Sequence, residues 1–405
     1  METGNAVVGF DRQTLNGIIS QLFQCLHPTG IFKVPPTKVR GTTTTVSISI
    51  DEAPSVDFVD STVVPPYPVR LNIRVPSITI LLSYNQPHKN TTSTLRQGAL
   101  GLTALATLNT DPQSSALKIE TLHGIFTSND DTANSLDSII NNLVLPILLD
   151  YINKENPHHV PPLSPIQGLK FDIQHIISQN HQLIVCSASG RTPLSLAIPF
   201  CNMPAGVFMG ADAALLTMAG NQAISEIKID KEFSFLNAYN VTTHFRFGPI
   251  SNVSIMDDSS RNVSARLAIE ATSNVTQPYS QESQLKGIAD LTLYATIKNE
   301  RLCMRIQRID QLTLEQYVTG VPGWINNLSN MVLKVYNGLY KQVSNFILGY
   351  LGDWEFDVFK LQFPVPTRDG LGIRIQLEDA QIAVINTMGE ALIIASGTPT
   401  VCICT

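Results

Sequence analysis

Apolar residues recur at helical spacing in two long segments of the chain. Residues 130–155 begin with two aspartates, which suit a helix N-terminus, and then carry an apolar side chain every three or four positions. Residues 325–351 repeat this pattern with two lysines as their only charges. Both segments predict a long amphipathic helix with one apolar face, and Pro146 is expected to kink the first of them.

Elsewhere the apolar period changes from about 3.6 to two, which indicates β-strands that are half buried. Apolar and polar residues alternate over residues 46–50, 71–75 and 117–119, and again over 233–235, 263–269 and 291–297. Such strands form antiparallel sheets with one apolar face and one wet face. A sheet of this kind needs a cover for its apolar face, and each long helix is available as that cover.

The elements recur in the same order in both halves of the chain. A proline-marked crossing follows each long helix and leads into a strand pair, predicted over Gly168–Gly190 in the first half and Gly372–Gly397 in the second. Each strand pair is predicted to end at Ala-Ser-Gly. The sequence therefore predicts two tandem α+β repeats, residues 1–195 and 196–405, each an elongated roll in which a twisted antiparallel sheet wraps a long amphipathic helix.

Composition narrows the class of protein. Charged residues make up 15% of the 405 residues and hydrophobic residues 43%, so the chain has enough apolar surface to fold. A net charge of -6 argues against a nucleic-acid partner. We recognise no signal peptide, and the charge-free run 192–211 contains three prolines, which favours an interdomain segment over a membrane span. These features predict a cytoplasmic or non-classically released protein.

Chemistry-bearing motifs are missing from the sequence. It has no P-loop, HExxH helix, G-x-S-x-G elbow or EF-hand loop. His158 and His159 lack further ligands at zinc spacing, and Ser187 lies near His181 without forming a triad motif. The six cysteines are scattered, as is typical of free thiols. We therefore expect no enzymatic activity, no metal and no cofactor.

The apolar faces of the two long helices are the candidate binding site. One interpretation is that they are ordinary packed core; the other is that the helix and the sheet leave a gap for an acyl chain, which needs few polar contacts. The predicted lining residues are Leu143, Val144, Ile147 and Tyr151 in the first half and Val335, Leu339, Val343 and Phe346 in the second.

The order of elements, together with the step from Pro161-Pro162 to Gly168 and from Pro364-Val365-Pro366 to Gly372, resembles the tubular lipid-binding superfamily. That superfamily includes bactericidal permeability-increasing protein and the accessory proteins of clostridial toxin clusters. The resemblance implies two super-rolls joined as a boomerang, with apolar pockets for phospholipids or sterols. The chain departs from the secreted members because it shows neither their basic N-terminal lobe nor their disulfide.

Two hypotheses for the function follow. The first is a lipid-binding or lipid-transfer protein that holds acyl chains in a groove between the long helix and the sheet. Its partners would be a lipid or another apolar small molecule and, during transfer, a membrane surface. The second is a structural or interaction scaffold, such as a toxin-complex or secretion accessory protein, with a filled core and a protein partner.

Overall fold

The structure is a computed structural model of the chain. It describes residues 4–26, 33–38, 42–59, 69–86, 89–111, 114–128, 137–138, 140–146, 149, 159–160, 171–189, 203–225, 227–235, 239–256, 261–275, 281–319, 329–365, 372–387 and 390–404. Strands account for 69% of the structure and helices for 21%. The strands form three antiparallel sheets.

The central sheet combines strands from both halves of the chain. In spatial order its strands are β18 (Gln362–Val365), β19 (Gly372–Thr387), β20 (Glu390–Cys404), β11 (Val207–Ala211), β1 (Asn5–Asp11), β10 (Gln182–Ala188) and β9 (Asp172–Gln179). The two halves meet where β1 pairs with β11, with Val8 opposite Met209. On the other side of β1, Gly9 lies opposite Ile184 of β10. On the other side of β11, Gly210 lies opposite Ile394 of β20.

The N-terminal sheet contains the longest strands of the first half. It consists of β2 (Lys33–Lys38), β3 (Thr44–Ile50), β5 (Val69–Gln86), β6 (Lys89–Asp111), β7 (Ser114–Ser128) and β8 (His159–Val160), and β4 (Ser55–Phe58) also pairs with β5. Pro76 lies within β5, where the register with β6 shifts between Val75 and Ile78. Such a bulge accommodates a residue that has no N–H to donate.

The C-terminal sheet is a meander of six strands. They are β12 (Lys228–Phe235), β13 (Tyr239–Ile255), β14 (Asn262–Val275), β15 (Gln281–Lys298), β16 (Arg301–Thr319) and β17 (Glu355–Lys360). Its inner face, which carries the buried side chains, contributes most of the largest apolar core cluster. The strand β12 forms one edge of this sheet among the described residues.

Helices lie on these sheets, and side-chain hydrogen bonds join three of the helical segments to strands. They are α1 (Arg12–Leu26), a π-helical turn (Ile140–Val144), α2 (Ala213–Ser225) and α3 (Ser329–Gly352). Three helical asparagines each bind both the N–H and the C=O of one strand residue: Asn16 binds Val56, Asn141 binds Phe126, and Asn221 binds Ile250. Each asparagine thereby fixes the position of its helix on a strand.

The predicted fold class is wrong. We expected two α+β repeats, each a long helix wrapped by a sheet, whereas the structure is mostly β-sheet, organised as three antiparallel sheets. The alternation in the sequence was visible only over short segments, but the strands continue through polar residues and reach 23 residues in β6. The helix α3 lies where the second long helix was predicted; in residues 130–155 the structure describes a π-helical turn and a few neighbouring residues.

The structure bears on three predictions about boundaries. Ala395-Ser396-Gly397 does not end the last strand, because β20 continues to Cys404. Part of the expected interdomain segment 192–211 is also a strand, since β11 is buried along its whole length. The boundary between residues 195 and 196 lies outside the described residues, so the division into domains 1–195 and 196–405 stays a prediction.

Candidate functional site

The lining residues predicted for the second half of the chain lie on α3, where the helix covers the inner face of the C-terminal sheet. Leu339, Val343, Ile347 and Leu351 follow at four-residue spacing and belong to the largest core cluster, and the first three have no exposed surface. The space around these aliphatic side chains is filled by neighbouring protein atoms. Val335 also belongs to α3, but its side chain lies outside the described part.

Aromatic rings form the neighbouring part of the same interface. Phe346 contacts Phe245 at 4.8 Å and Phe233 at 6.1 Å between ring centroids, and Tyr350 stacks on Phe247 at 5.6 Å. The three strand residues are buried, whereas Phe346 and Tyr350 are only partly buried. This aromatic cluster, comprising Phe233, Phe245, Phe247, Phe346 and Tyr350, is therefore an apolar surface with some access from solvent.

A polar row crosses the sheet beside this cluster. Lys231 on β12 lies opposite Thr243 on β13, which lies opposite Ser273 on β14. Directly opposed residues of antiparallel strands point to the same face. The hydroxyls of Thr243 and Ser273 hydrogen-bond each other at 2.7 Å and are fully buried, while the Lys231 Nζ lies 6.0 Å from the centre of the Phe346 ring.

The predicted residues of the first half are only partly described. Val144 is buried in a cluster with Ile140, Leu145 and apolar residues of the N-terminal sheet. Leu143 belongs to the π-helical turn, but its side chain lies outside the described part, as do residues Ile147 and Tyr151 altogether. The structure therefore brings Leu339, Val343 and Phe346 together on α3, and it places Val144 in a separate core cluster.

A polar cleft of about 490 Å³ opens on the C-terminal sheet away from α3. It is lined by Met256, Asn262, Thr292, Gln307 and Arg308. The hydrogen bond from Thr292 and the neighbouring Arg308 guanidinium hold the pKa of Asp310 below its ordinary value. The Asp310 carboxylate thus neutralises the Arg308 charge, and Met256 is the one apolar residue among the five that line the cleft, whereas lipid sites are lined mostly by apolar residues.

Groups that could do chemistry are few among the residues the structure describes. No group of three or more His, Cys, Asp and Glu side chains could hold a metal ion in this part of the chain. Ser187 is fully buried, and burial raises the pKa of the neighbouring Cys186 thiol to about 12. Within the same ranges, no helix is long and apolar enough to cross a bilayer.

Sequence reasoning missed the strand residues of the site. Phe233, Phe245, Phe247 and Lys231 were not predicted as lining residues, although a signal was present. Residues 229, 231 and 233 share one face of β12 because side chains alternate along a strand, so a lysine stands between two apolar residues on the inner face. Cross-strand neighbours depend on register, which the sequence alone leaves open.

Comparisons with known proteins give similarities to solved structures. No protein-family model and no curated protein matches the chain. Similar solved structures include a lipopolysaccharide binding protein, with 12% identity over 98% of this chain and 99% of that chain and a TM-score of 0.33. P47 from Clostridium botulinum A2 has 10% identity over 97% of this chain and 97% of that chain, with a TM-score of 0.39. P47 of Clostridium botulinum E1 has 10% identity over 97% of this chain and 98% of that chain, with a TM-score of 0.38.

These neighbours are of the two kinds that the sequence resemblance names, a protein similar to bactericidal permeability-increasing protein and clostridial toxin-cluster proteins. None of the three is named for an enzymatic activity. All three TM-scores lie below 0.5, and these similarities therefore carry no conclusion about the fold or function of this chain.

Proposed function

We propose that the protein binds lipid, with the acyl chain lying against the aromatic cluster between α3 and the edge strand β12. The observation that carries this proposal is the partial burial of Phe346 and Tyr350 above three buried phenylalanines. Partly exposed rings that stack on buried rings offer a continuous apolar surface, and apolar surface is what an acyl chain requires.

The buried aliphatic residues of α3 have a different role in this proposal. Leu339 and Val343 have no exposed surface, so they support the position of α3 on the sheet. Phe346, on the side of the helix that faces β12, is the described member of the predicted lining that an incoming chain can reach. An acyl chain would lie against the exposed part of the Phe346 ring while that ring keeps its contacts with Phe233 and Phe245.

Extraction of the purified protein with organic solvent, followed by mass spectrometry, tests whether lipid is retained. We expect lipid at near-stoichiometric amounts. Titration of the delipidated protein with methyl palmitate, an uncharged probe, then tests the site itself. Phe346→Ala should weaken this binding, and Tyr340→Ala is the matched control because Tyr340 is an exposed aromatic residue of the same helix.

Two outcomes would overturn the proposal. One is a parent protein that carries no lipid and does not bind methyl palmitate, which would favour the interaction scaffold with a filled core. The other is equal weakening by the Phe346 and Tyr340 substitutions, since that would place the ligand elsewhere. Thermal unfolding of each variant shows that it is folded, so a loss of binding is not a loss of structure.

A further inference from the structure

The strand β12 carries a lysine on the face that α3 covers. Side chains alternate along a strand, so Ile229, Lys231 and Phe233 share one face while Asp230 and Glu232 share the other. Phe233 is buried in the core and Ile229 packs against it. The Lys231 side chain therefore leaves the backbone between two apolar neighbours on the inner face.

The charge of Lys231 has no carboxylate partner among the described residues. Asp230 points to the outer face, where His244 Nδ1 lies 2.7 Å from its carboxylate. From the neighbouring elements, the groups that face Lys231 are the Thr243 hydroxyl of β13 and the Phe346 ring of α3. The ammonium group is within reach of the negative face of that ring, which orients it towards the aromatic cluster.

The hydroxyls of Thr243 and Ser273 extend the polar row from Lys231 on the edge strand into β13 and β14. A single hydrogen bond between Thr243 and Ser273 uses one of their two hydroxyl protons, which leaves the second proton available as a donor. Ligand sites are mostly apolar with a few polar groups that fix the orientation of the ligand. All three polar groups of this row can donate hydrogen bonds; the two hydroxyls are buried, and the exposed, charged member is Lys231 on the edge strand β12.

We propose that the ligand is an anionic amphiphile, whose carboxylate or phosphate group pairs with the Lys231 ammonium while its chain lies on the aromatic cluster. This inference rests on the proposed lipid-binding function and specifies the charge of the head group. The competing interpretation is that an inward-facing charge on an edge strand protects the edge from pairing with another chain. That interpretation requires no ligand contact at Lys231.

Calorimetric titration of the delipidated protein with three probes separates these interpretations. The probes are palmitate, methyl palmitate and inorganic phosphate. The two palmitate probes are used at concentrations too low for self-association. Palmitate should bind about tenfold more tightly than methyl palmitate, and Lys231→Gln should remove that difference. Lys228→Gln is the matched control, because Lys228 belongs to the same strand and lies on its opposite face. The palmitate preference should also fall with rising salt.

The outcomes distinguish the head group from the binding function. If palmitate and methyl palmitate bind equally to the parent, the head-group inference is overturned while lipid binding stands. If neither binds, lipid binding itself fails. Tight binding of inorganic phosphate alone would identify an anion site without a chain and would also overturn the inference. A palmitate preference that survives Lys231→Gln, or is lost equally in Lys228→Gln, would exclude Lys231 as the contact.

Discussion

Asp11 and Gly206 hold each other through two hydrogen bonds across the junction of the two halves of the chain. The Asp11 N–H donates to the Gly206 carbonyl at 3.1 Å, and the Gly206 N–H donates to the Asp11 carboxylate at 2.5 Å. The other carboxylate oxygen accepts a hydrogen bond from the Thr14 N–H at 2.6 Å and so caps α1. Gly206 has a φ of 91°, a conformation that favours glycine.

Two substitutions of Asp11 distinguish the contribution of the α1 cap to the unfolding free energy from that of the contact with Gly206. Asp11→Asn keeps one oxygen for the cap but replaces the other with an amide that cannot accept, so we expect a loss of about 1 kcal/mol in unfolding free energy. Asp11→Ala removes both contacts and should cost about 2–3 kcal/mol. Urea unfolding measures both values. An alanine variant as stable as the asparagine variant would show that the cap contributes nothing.

Gly9 lies against a ring in the central sheet. A Cβ atom at this position would come within 2.0 Å of the Phe208 ring, which is fully buried. Gly9→Ala should therefore overpack the sheet and lower the unfolding free energy by about 1–3 kcal/mol. Gly101→Ala is the matched control in a strand, because the nearest atom to its Cβ would be 3.9 Å away. Similar thermal unfolding of the two variants would contradict this prediction.

The hydroxyl pair under α3 predicts a non-additive pair of substitutions. Thr243→Val leaves the Ser273 hydroxyl buried without its partner and should cost about 1–3 kcal/mol. Adding Ser273→Ala removes the orphaned group, so the double variant should recover part of that loss. A double-mutant cycle by urea unfolding checks this. Strictly additive losses would mean that the two hydroxyls do not depend on each other.

The cysteines should differ in the rate at which their thiols react. Burial raises the pKa of Cys186 to about 12, and burial together with the hydrogen bond to Asp357 raises that of Cys303 to about 12. Only about 10⁻⁴ of such a thiol is thiolate at pH 8, and the thiolate is the reactive form. Cys25 is exposed. Iodoacetamide labelling of the native protein, read by mass spectrometry, should modify Cys25 first; earlier labelling of Cys186 would contradict this.

Local periodicity allowed some elements to be predicted. The aliphatic residues of α3 recur every four positions, so both the helix and its buried face follow from the sequence. The fold class did not follow, because sheet length depends on pairing between distant strands. In β6, polar residues such as Thr94 and Gln97 pair with β5 as fully as the apolar ones do, and hydrophobicity gives no sign of this.

The end of the last strand shows the same limit. Gly397 resembles a strand terminator, yet a Cβ atom there would lie 2.5 Å from the Glu378 carbonyl. The register of β19 and β20 shifts between Glu378 and Gln381, so the glycine accommodates a close backbone approach at a bulge. The aromatic cluster could likewise be predicted only in part. The helical period of α3 predicted Phe346, whereas its partners on the strands depend on tertiary contacts that the sequence does not show.

The position of β20 next to β11 has a consequence for how the protein is made. The ribosome produces β20 about 180 residues after β11, which takes roughly 10–40 s at typical elongation rates. During that interval the β11 edge has no neighbour on that side, and an unpaired edge is a template for another chain. A nascent chain that stops before Glu390 should therefore associate with its own copies, so the final strand protects solubility as well as completing the sheet.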